Sequence, residues 1–275
     1  MLVISVVIPA LNDAEMLTRC LAALSAQTRI ADEVIVVDNG STDATPDVAA
    51  AAGARVVFEP RRGIPAATAA GFDAAKGSII ARLDADSVPP PEWLARIERR
   101  FSRDDGLAAL TGPGEFYGAS RLVRRAGEVL YVGGLFWAMG WLLAHPPLFG
   151  SNFAMTASTW ARIKQTFHRE VRELHDDLDL SFQFAPDMRI AYDPQLRVGI
   201  SARPFDSFRG LARRLYWAYT TIAANSRERS LLDRRAQHRA WQRAHARYEP
   251  IFIVDDSATD DFGGVDFGGA EFGTD

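Results

Sequence analysis

The sequence predicts an α/β fold with a mostly parallel central sheet flanked by helices. Two observations carry that expectation. Short, β-branched apolar runs alternate with helix-spaced segments through the first hundred residues, and aspartates stand at the ends of two of those runs. Length and composition bound it: 275 residues, 48% hydrophobic and 24% charged, suit a globular domain and exclude wholesale disorder or fibrous repeats.

Each element has its own signal. Leu2–Ile8 is a continuous apolar run, as expected of a parallel strand covered on both faces. It lacks a basic leader and a small-residue cleavage site, so it reads as a buried strand rather than a signal peptide. Asn12 is placed to cap the next helix, with Glu15 as its capping-box partner, and Met16, Leu17, Cys20, Leu21 and Leu24 follow at helical spacing. Glu33–Val37 is the second strand and ends at Asp38; the turn Asn39-Gly40-Ser41-Thr42-Asp43 leads into an alanine-rich helix. Arg55–Phe58 is a third strand, Ala66–Ala75 a helix, and Ser78–Leu83 a fourth strand ending at Asp84. Pro91–Phe101 is a helix with proline in its first turn. Ligands of such sheets sit beyond the carboxyl ends of the strands, where Asp38 and Asp84 fall.

The rest divides by composition. Residues 1–200 form the α/β unit, 201–248 a basic helical extension, and 249–275 an acidic tail. That tail carries eight acidic residues and no Lys or Arg; the body before it has 31 basic and 27 acidic residues. Its repeat, Asp261-Phe262-Gly263-Gly264 then Asp266-Phe267-Gly268-Gly269, offers too little apolar surface to offset ordering entropy, so disorder is expected. Val129–Ala144 is uncharged and aromatic-rich but only sixteen residues long, short of the roughly 20 that span a bilayer. A partly buried helix and an interfacial segment both fit it. Residues 201–247 hold eleven arginines against three acidic residues among exposed-type aromatics, the pattern of a basic amphipathic helix on anionic lipid or of a solvated helix face. No nucleic-acid reader motif is present. Cys20 is the lone cysteine, which excludes an internal disulfide and points to a reducing, cytoplasmic setting.

Three clusters point to chemistry. Asp84-Ala85-Asp86 places two hard oxygen donors at i and i+2, which in extended backbone share one side and suit Mg²⁺ or Mn²⁺ shared with phosphate. Asp38 is placed to accept from a ribose hydroxyl or base N–H, or else to form the turn itself; Arg61 and Arg62 are candidates for a diphosphate. Asp176-Asp177-Leu178-Asp179 packs three carboxylates into four residues, either a general-base site or an acidic first helical turn favoured by the macrodipole.

Together these segments resemble a family 2 glycosyltransferase of the GT-A fold, from Val3 to about Ser201. Val6-Val7-Ile8-Pro9-Ala10-Leu11-Asn12-Asp13 is similar to the family's opening strand and turn, and Val34-Ile35-Val36-Val37-Asp38-Asn39-Gly40-Ser41-Thr42-Asp43 to its second-strand signature. Arg82-Leu83-Asp84-Ala85-Asp86 resembles its metal and nucleotide-sugar motif, Gly150-Ser151-Asn152-Phe153 its loop near the sugar, and Asp176-Asp177-Leu178-Asp179-Leu180-Ser181 its acidic motif. Some positions depart from the pattern. Leu11 replaces a common aromatic, Ala67-Thr68-Ala69 replaces a polar triplet and its contacts, and Asp176 stands where Glu is usual. The Gln-x-x-Arg-Trp segment of processive synthases is absent, so the resemblance implies transfer of one sugar.

The resemblance also implies a mechanism: inverting transfer from a nucleotide-diphosphate sugar to a glycan or lipid-linked acceptor, with Mg²⁺ or Mn²⁺ on Asp84 and Asp86. Pro9, Asn12, Asp38, Arg62, Asn152 and Asp176 are then expected to line the donor, and Asp177 to act as base. The arginine-rich end adds the expectation of peripheral contact at the inner face of the membrane. A dinucleotide oxidoreductase is disfavoured, because Pro9-Ala10-Leu11 occupies the turn where a G-x-G-x-x-G would begin. A nucleotidyltransferase and a non-catalytic membrane scaffold stay open.

Overall fold

The computed structural model describes residues 2–117, 134–201 and 208–245. The first strand, β1 (Ile4–Ala10), lies parallel to β2 (Glu33–Asp38), with Ser5 opposite Glu33 and Ala10 opposite Asp38. β3 (Arg55–Phe58) continues the sheet outside β2, and β4 (Ile79–Arg82) pairs with the other side of β1. The helices between these strands are α1 (Ala14–Ser25), α2 (Thr45–Ala51) and α3 (Ile64–Ala74).

Beyond α4 (Trp93–Arg103) and β5 (Leu107–Thr111) the topology changes. β6 (Gly114–Tyr117) leaves the main sheet and pairs in parallel with β9 (Val198–Ser201). β7 (Phe153–Thr156) runs antiparallel between β4 and β5, and β8 (Arg189–Tyr192) lies parallel to β5. The described sheet therefore reads β3-β2-β1-β4-β7-β5-β8. Because β7 is reversed, its first residue Phe153 sits opposite Arg82, the last of β4. The loop entering β7 thus reaches the same rim as the loop leaving β4.

Both faces of the sheet are covered, as the unbroken apolar strands require. Ile4, Val6, Ile8 and Val36 face Leu17, Cys20, Leu21 and Leu24 of α1 and Trp93, Leu94 and Ile97 of α4. The alternate residues Val7, Ile35 and Val37 face Ala67 and Phe72 of α3 and Trp160 and Ile163 of α6 (Ala157–Ile163). At Gly71 the helix comes so close that a Cβ would stand 2.3 Å from Val7 Cγ1, so only glycine fits without movement.

The C-terminal part packs on the same body. α5 (Gly134–Leu143), α7 (Asp176–Gln183), α8 (Phe208–Glu228) and α9 (Leu231–Ala244) share a cluster of Met139, Leu143, Leu178 and Phe182, with Ala218, Ile222 and Leu231 against it. The described end of the Val129–Ala144 run is therefore a partly buried helix; Trp141 stays 53% exposed, with the Arg235 guanidinium 4.2 Å from its ring centre. No described helix is long and apolar enough to cross a membrane. The acidic tail at 249–275 lies outside the described residues.

Some local expectations are corrected. Asn12 does not cap α1: it sits at φ 54°, and the first-turn amide of Ala14 is met by Asp43 Oδ2 at 3.2 Å from the neighbouring loop. Glu15 pairs with Arg19 instead. α4 starts two residues after Pro91, with Glu92 at its N-cap.

Candidate active site

The rim is built from the loops that follow β1, β2, β3 and β4, together with the loop entering β7 and the start of α7. At the end of β1, half-buried Pro9 lies opposite Val37. Asn12 Oδ1 accepts from the Thr42 amide at 2.7 Å, and the Asn12 amide donates to Ser41 Oγ at 3.0 Å. These bonds lock the β1 and β2 loops together. Asp38 is buried and accepts from the Ser41 amide at 2.8 Å, so it closes the turn and leaves its second oxygen without that bond. Asn39 braces the next loop, donating to the Glu59 and Arg61 carbonyls and accepting from the Gly63 amide. Arg61 is held by Glu59 and Glu170, while the Arg62 guanidinium lies over Gly40 in the turn after β2.

Asp84 and Asp86 follow β4 in a turn rather than in extended backbone; the Asp84 amide donates to Ser87 Oγ at 3.1 Å. The two carboxylates do not owe their placement to strand alternation, which corrects the i, i+2 argument. Both are half-buried, and both charges bear on the same two neighbours. The Cys20 thiol is pushed up by burial first and then by Asp86 and Asp84. Arg82 is the second neighbour.

Arg82 is 2% exposed and was not anticipated as a site residue. One terminal nitrogen, Nη2, lies 3.0 Å from Asp84 Oδ1 and 3.0 Å from Asp176 Oδ2. Burial alone would lower its pKa, but Asp176, Asp84, Asp177 and Asp86 together outweigh that and raise it. Asp176, at the start of α7, is itself buried and is pushed up by desolvation against the pull of Arg82. It also accepts from Thr68 Oγ1 at 2.7 Å, so the α3 triplet that departs from the family pattern still supplies a polar contact.

A second bridge crosses the same gap. The Gly150 amide donates to Asp177 Oδ2 at 2.8 Å, and the next residue, Ser151, donates through Oγ to Asp84 Oδ2 at 2.5 Å. Asp177 Oδ1 takes the Leu178 amide at 2.7 Å, leaving the carboxylate half-buried and oriented by two backbone donors. Residues 84 and 176–177, almost a hundred positions apart, thus form one constellation.

Asn152 does not join it through its side chain. It is 0% exposed, accepts from Trp93 Nε1 at 2.8 Å, and donates to the carbonyls of Pro113 and Leu196. All its amide hydrogens and its oxygen serve the wall behind the loop, which corrects its expected contact with a donor.

α8 holds the acidic helix from outside. The His175 amide donates to Thr221 Oγ1 and its Nε2 meets the Arg214 carbonyl, both at 2.9 Å. Asp179, 0% exposed, binds His168 Nδ1 and Asn225 Nδ2, each at 2.7 Å. Asp179 is therefore an anchor, and Asp177 is the member of the motif that faces the rim loop.

Residues 5–171 match the family described as Glycosyl transferase family 2. An uncharacterized glycosyltransferase of Mycobacterium tuberculosis is 49% identical over 109 residues, 40% of this chain and 47% of that protein. The glycosyltransferase AglE of Haloferax volcanii is 34% identical over 119 residues, 40% of this chain and 36% of its own length. An undecaprenyl-phosphate 4-deoxy-4-formamido-L-arabinose transferase of Pseudomonas paraeruginosa is 36% identical over 111 residues, covering 36% of this chain and 32% of that protein. These matches span less than half the length of those relatives. Glucosyl-3-phosphoglycerate synthase from Mycobacterium tuberculosis, solved with Mn²⁺, UDP and glucosyl-3-phosphoglycerate, has the same fold: TM-score 0.59 at 24% identity, over 82% of this chain and 80% of that one. With the fold, the motif order and the family match in agreement, the chain belongs to glycosyl transferase family 2.

Proposed function

We propose that this chain transfers a single sugar, with inversion, from a nucleotide-diphosphate sugar to an acceptor hydroxyl. The observation that carries the reading is the pair of bridges, Arg82 beneath and Gly150-Ser151 above, that joins Asp84 to Asp176 and Asp177. In this reading Asp38 and the locked β1 and β2 loops take the nucleoside, and Arg62 meets the diphosphate. Asp84 and Asp86 fit a divalent cation of the Mg²⁺ or Mn²⁺ kind: they are hard oxygen donors, and the Asp84 oxygens, one beside Arg82 and one bonded by Ser151, each keep a lone pair. Among the described residues no third His, Cys, Asp or Glu completes a protein cage, as suits an ion that keeps phosphate and water ligands. When bound, that ion offsets charge on the departing diphosphate. Asp177, oriented by the Gly150 and Leu178 amides, takes the proton of the acceptor hydroxyl as it attacks the anomeric carbon from the opposite face.

The acceptor side supports a membrane-proximal substrate at the cytoplasmic face. α8 carries four arginines and no acidic residue from Phe208 to Arg227. Leu215, Tyr216 and Tyr219 on it are 60%, 53% and 69% exposed. An apolar, aromatic and basic face of this kind suits anionic lipid headgroups.

Calorimetry with UDP and GDP, with and without Mn²⁺, followed by a panel of their sugars, tests the reading. Metal-dependent binding and release of the nucleoside diphosphate support it; release of pyrophosphate would identify a nucleotidyltransferase, and no binding would leave a scaffold. Asp177→Asn should keep nucleotide binding and lower sugar release by about 10²–10⁴-fold. Flotation with anionic and neutral vesicles tests the α8 face, and equal recovery with both would refute it.

A further inference from the structure

We infer that Arg82 is the positioning residue that fixes the donor-side carboxylate and the base helix relative to each other. A charged residue in a central strand buried on both faces is costly, and Arg82 also has a buried Nε with no hydrogen-bond partner. An apolar residue would satisfy the strand better, and a buried ion pair is weak evidence for stability by itself. What Arg82 supplies is geometry. One nitrogen, Nη2, stands 3.0 Å from each of two carboxylates on different elements, Asp84 after β4 and Asp176 on α7. Its other terminal nitrogen lies under Gly150, where a Cβ would stand 2.5 Å from Nη1 and 2.9 Å from Asp177 Oδ2. The guanidinium therefore lies against three rim segments that the proposed transfer uses, the loop after β4, the Gly150 loop and the start of α7. It reaches no rim position itself, so it acts through Asp84, Asp176 and the Gly150 loop. Lysine carries the charge but ends short of both carboxylates, so charge alone does not replace it.

This inference rests on the transferase reading for its kinetic consequence but not for its structural one, and two measurements separate them. Hydrogen exchange on the free full chain reads the structure. Arg82→Met and Arg82→Lys should speed exchange at least tenfold in peptides covering 84–87 and 176–183, leaving 4–10 and 33–38 at wild-type rates. Faster exchange on one side only would overturn the bridge. If Arg82→Met fails to fold, the double variant Arg82→Met with Asp176→Asn, which removes one stranded carboxylate and leaves an amide to meet Thr68, takes its place under the same criterion. Sugar release from UDP- and GDP-sugars with Mn²⁺ reads the kinetics. Arg82→Met should lower kcat by about 100-fold with a small change in KM, as for misplacement near 1 Å. Arg82→Lys should not rescue it, and Asp176→Asn should add less than threefold to the loss. Multiplying losses, or wild-type kcat in Arg82→Lys, would refute the assignment. A wild type that turns over none of these donors sinks the transferase reading, and the exchange result alone then judges Arg82.

Discussion

Gly150→Ala is the smallest perturbation that strains the constellation. The added Cβ would sit 2.5 Å from Arg82 Nη1 and 2.9 Å from Asp177 Oδ2, where ordinary contact begins near 3.4 Å. Something must therefore move by about half to one ångström. Arg82 is the worse candidate, being 2% exposed and tied to Asp84 and Asp176. A shift of the Asp177 carboxylate relieves only its own contact, so the Gly150 loop must also back away from Arg82, and both movements stretch the 2.8 Å bond from the Gly150 amide to Asp177. The stability cost should stay near about 1–3 kcal/mol, as for other overpacked sites. A base displaced by about 1 Å should cost on the order of 100-fold in turnover. Steady-state release of nucleoside diphosphate, beside calorimetric binding of UDP or GDP with Mn²⁺, checks both parts. Wild-type kcat at unchanged stability would show that neither Asp177 nor the Gly150 loop needs its observed position. A binding loss as large as the kcat loss would place the damage on the donor side instead.

Three further outcomes follow from other parts of the molecule. Gly71→Ala should destabilise by about 1–3 kcal/mol in urea titration while sparing nucleotide affinity, because its Cβ meets Val7 and Val37 beneath the sheet and no rim residue. Asp193 is 0% exposed and takes Arg96 at 2.6 and 2.7 Å and Arg100 at 3.0 Å, pinning α4 to the end of β8. Asp193→Ala should cost about 3 kcal/mol, the low end for breaking a buried pair because both arginines keep some water, and an unchanged urea midpoint would contradict this. His168 is raised to about 9, chiefly by its hydrogen bond to Asp179. A raised histidine contributes stability in full below its ordinary value of 6.5 and loses it as pH climbs through about 9. The melting temperature should therefore fall across that window, and His168→Gln should flatten the decline.

The proposed donor half was legible because its signals are local. Apolar runs ending at Asp38 and near Asp84, with helix-spaced segments between, located the strands and the rim within a few residues. The proposed base side was legible only as a cluster of acids; which of them faces the rim depends on Asn225 and Arg82, both distant in sequence, and on His168 across an irregular loop. Arg82 did leave a trace, as a lone charge within the apolar stretch Ile79-Ile80-Ala81-Arg82-Leu83. The capping reading of Asn12 failed because both competing groups came from the β2 loop: the Thr42 amide donates to Asn12 Oδ1, and the Asp43 carboxylate accepts from the Ala14 amide. The Asn152 reading failed for a similar reason, since its partners Trp93, Pro113 and Leu196 come from three separate segments.

The reversal of β7 has an evolutionary corollary. The chain arrives at the rim from below along β1, β2 and β4, then travels away before returning from above through Gly150 and Ser151. Between those visits α4 and β5 stay tied to β7 and Asn152, so the grip at the rim depends on those two elements and not on the length of the chain that joins them. On the proposed transferase reading, such a layout lets the side that receives a sugar diverge while the grip on what delivers it is kept.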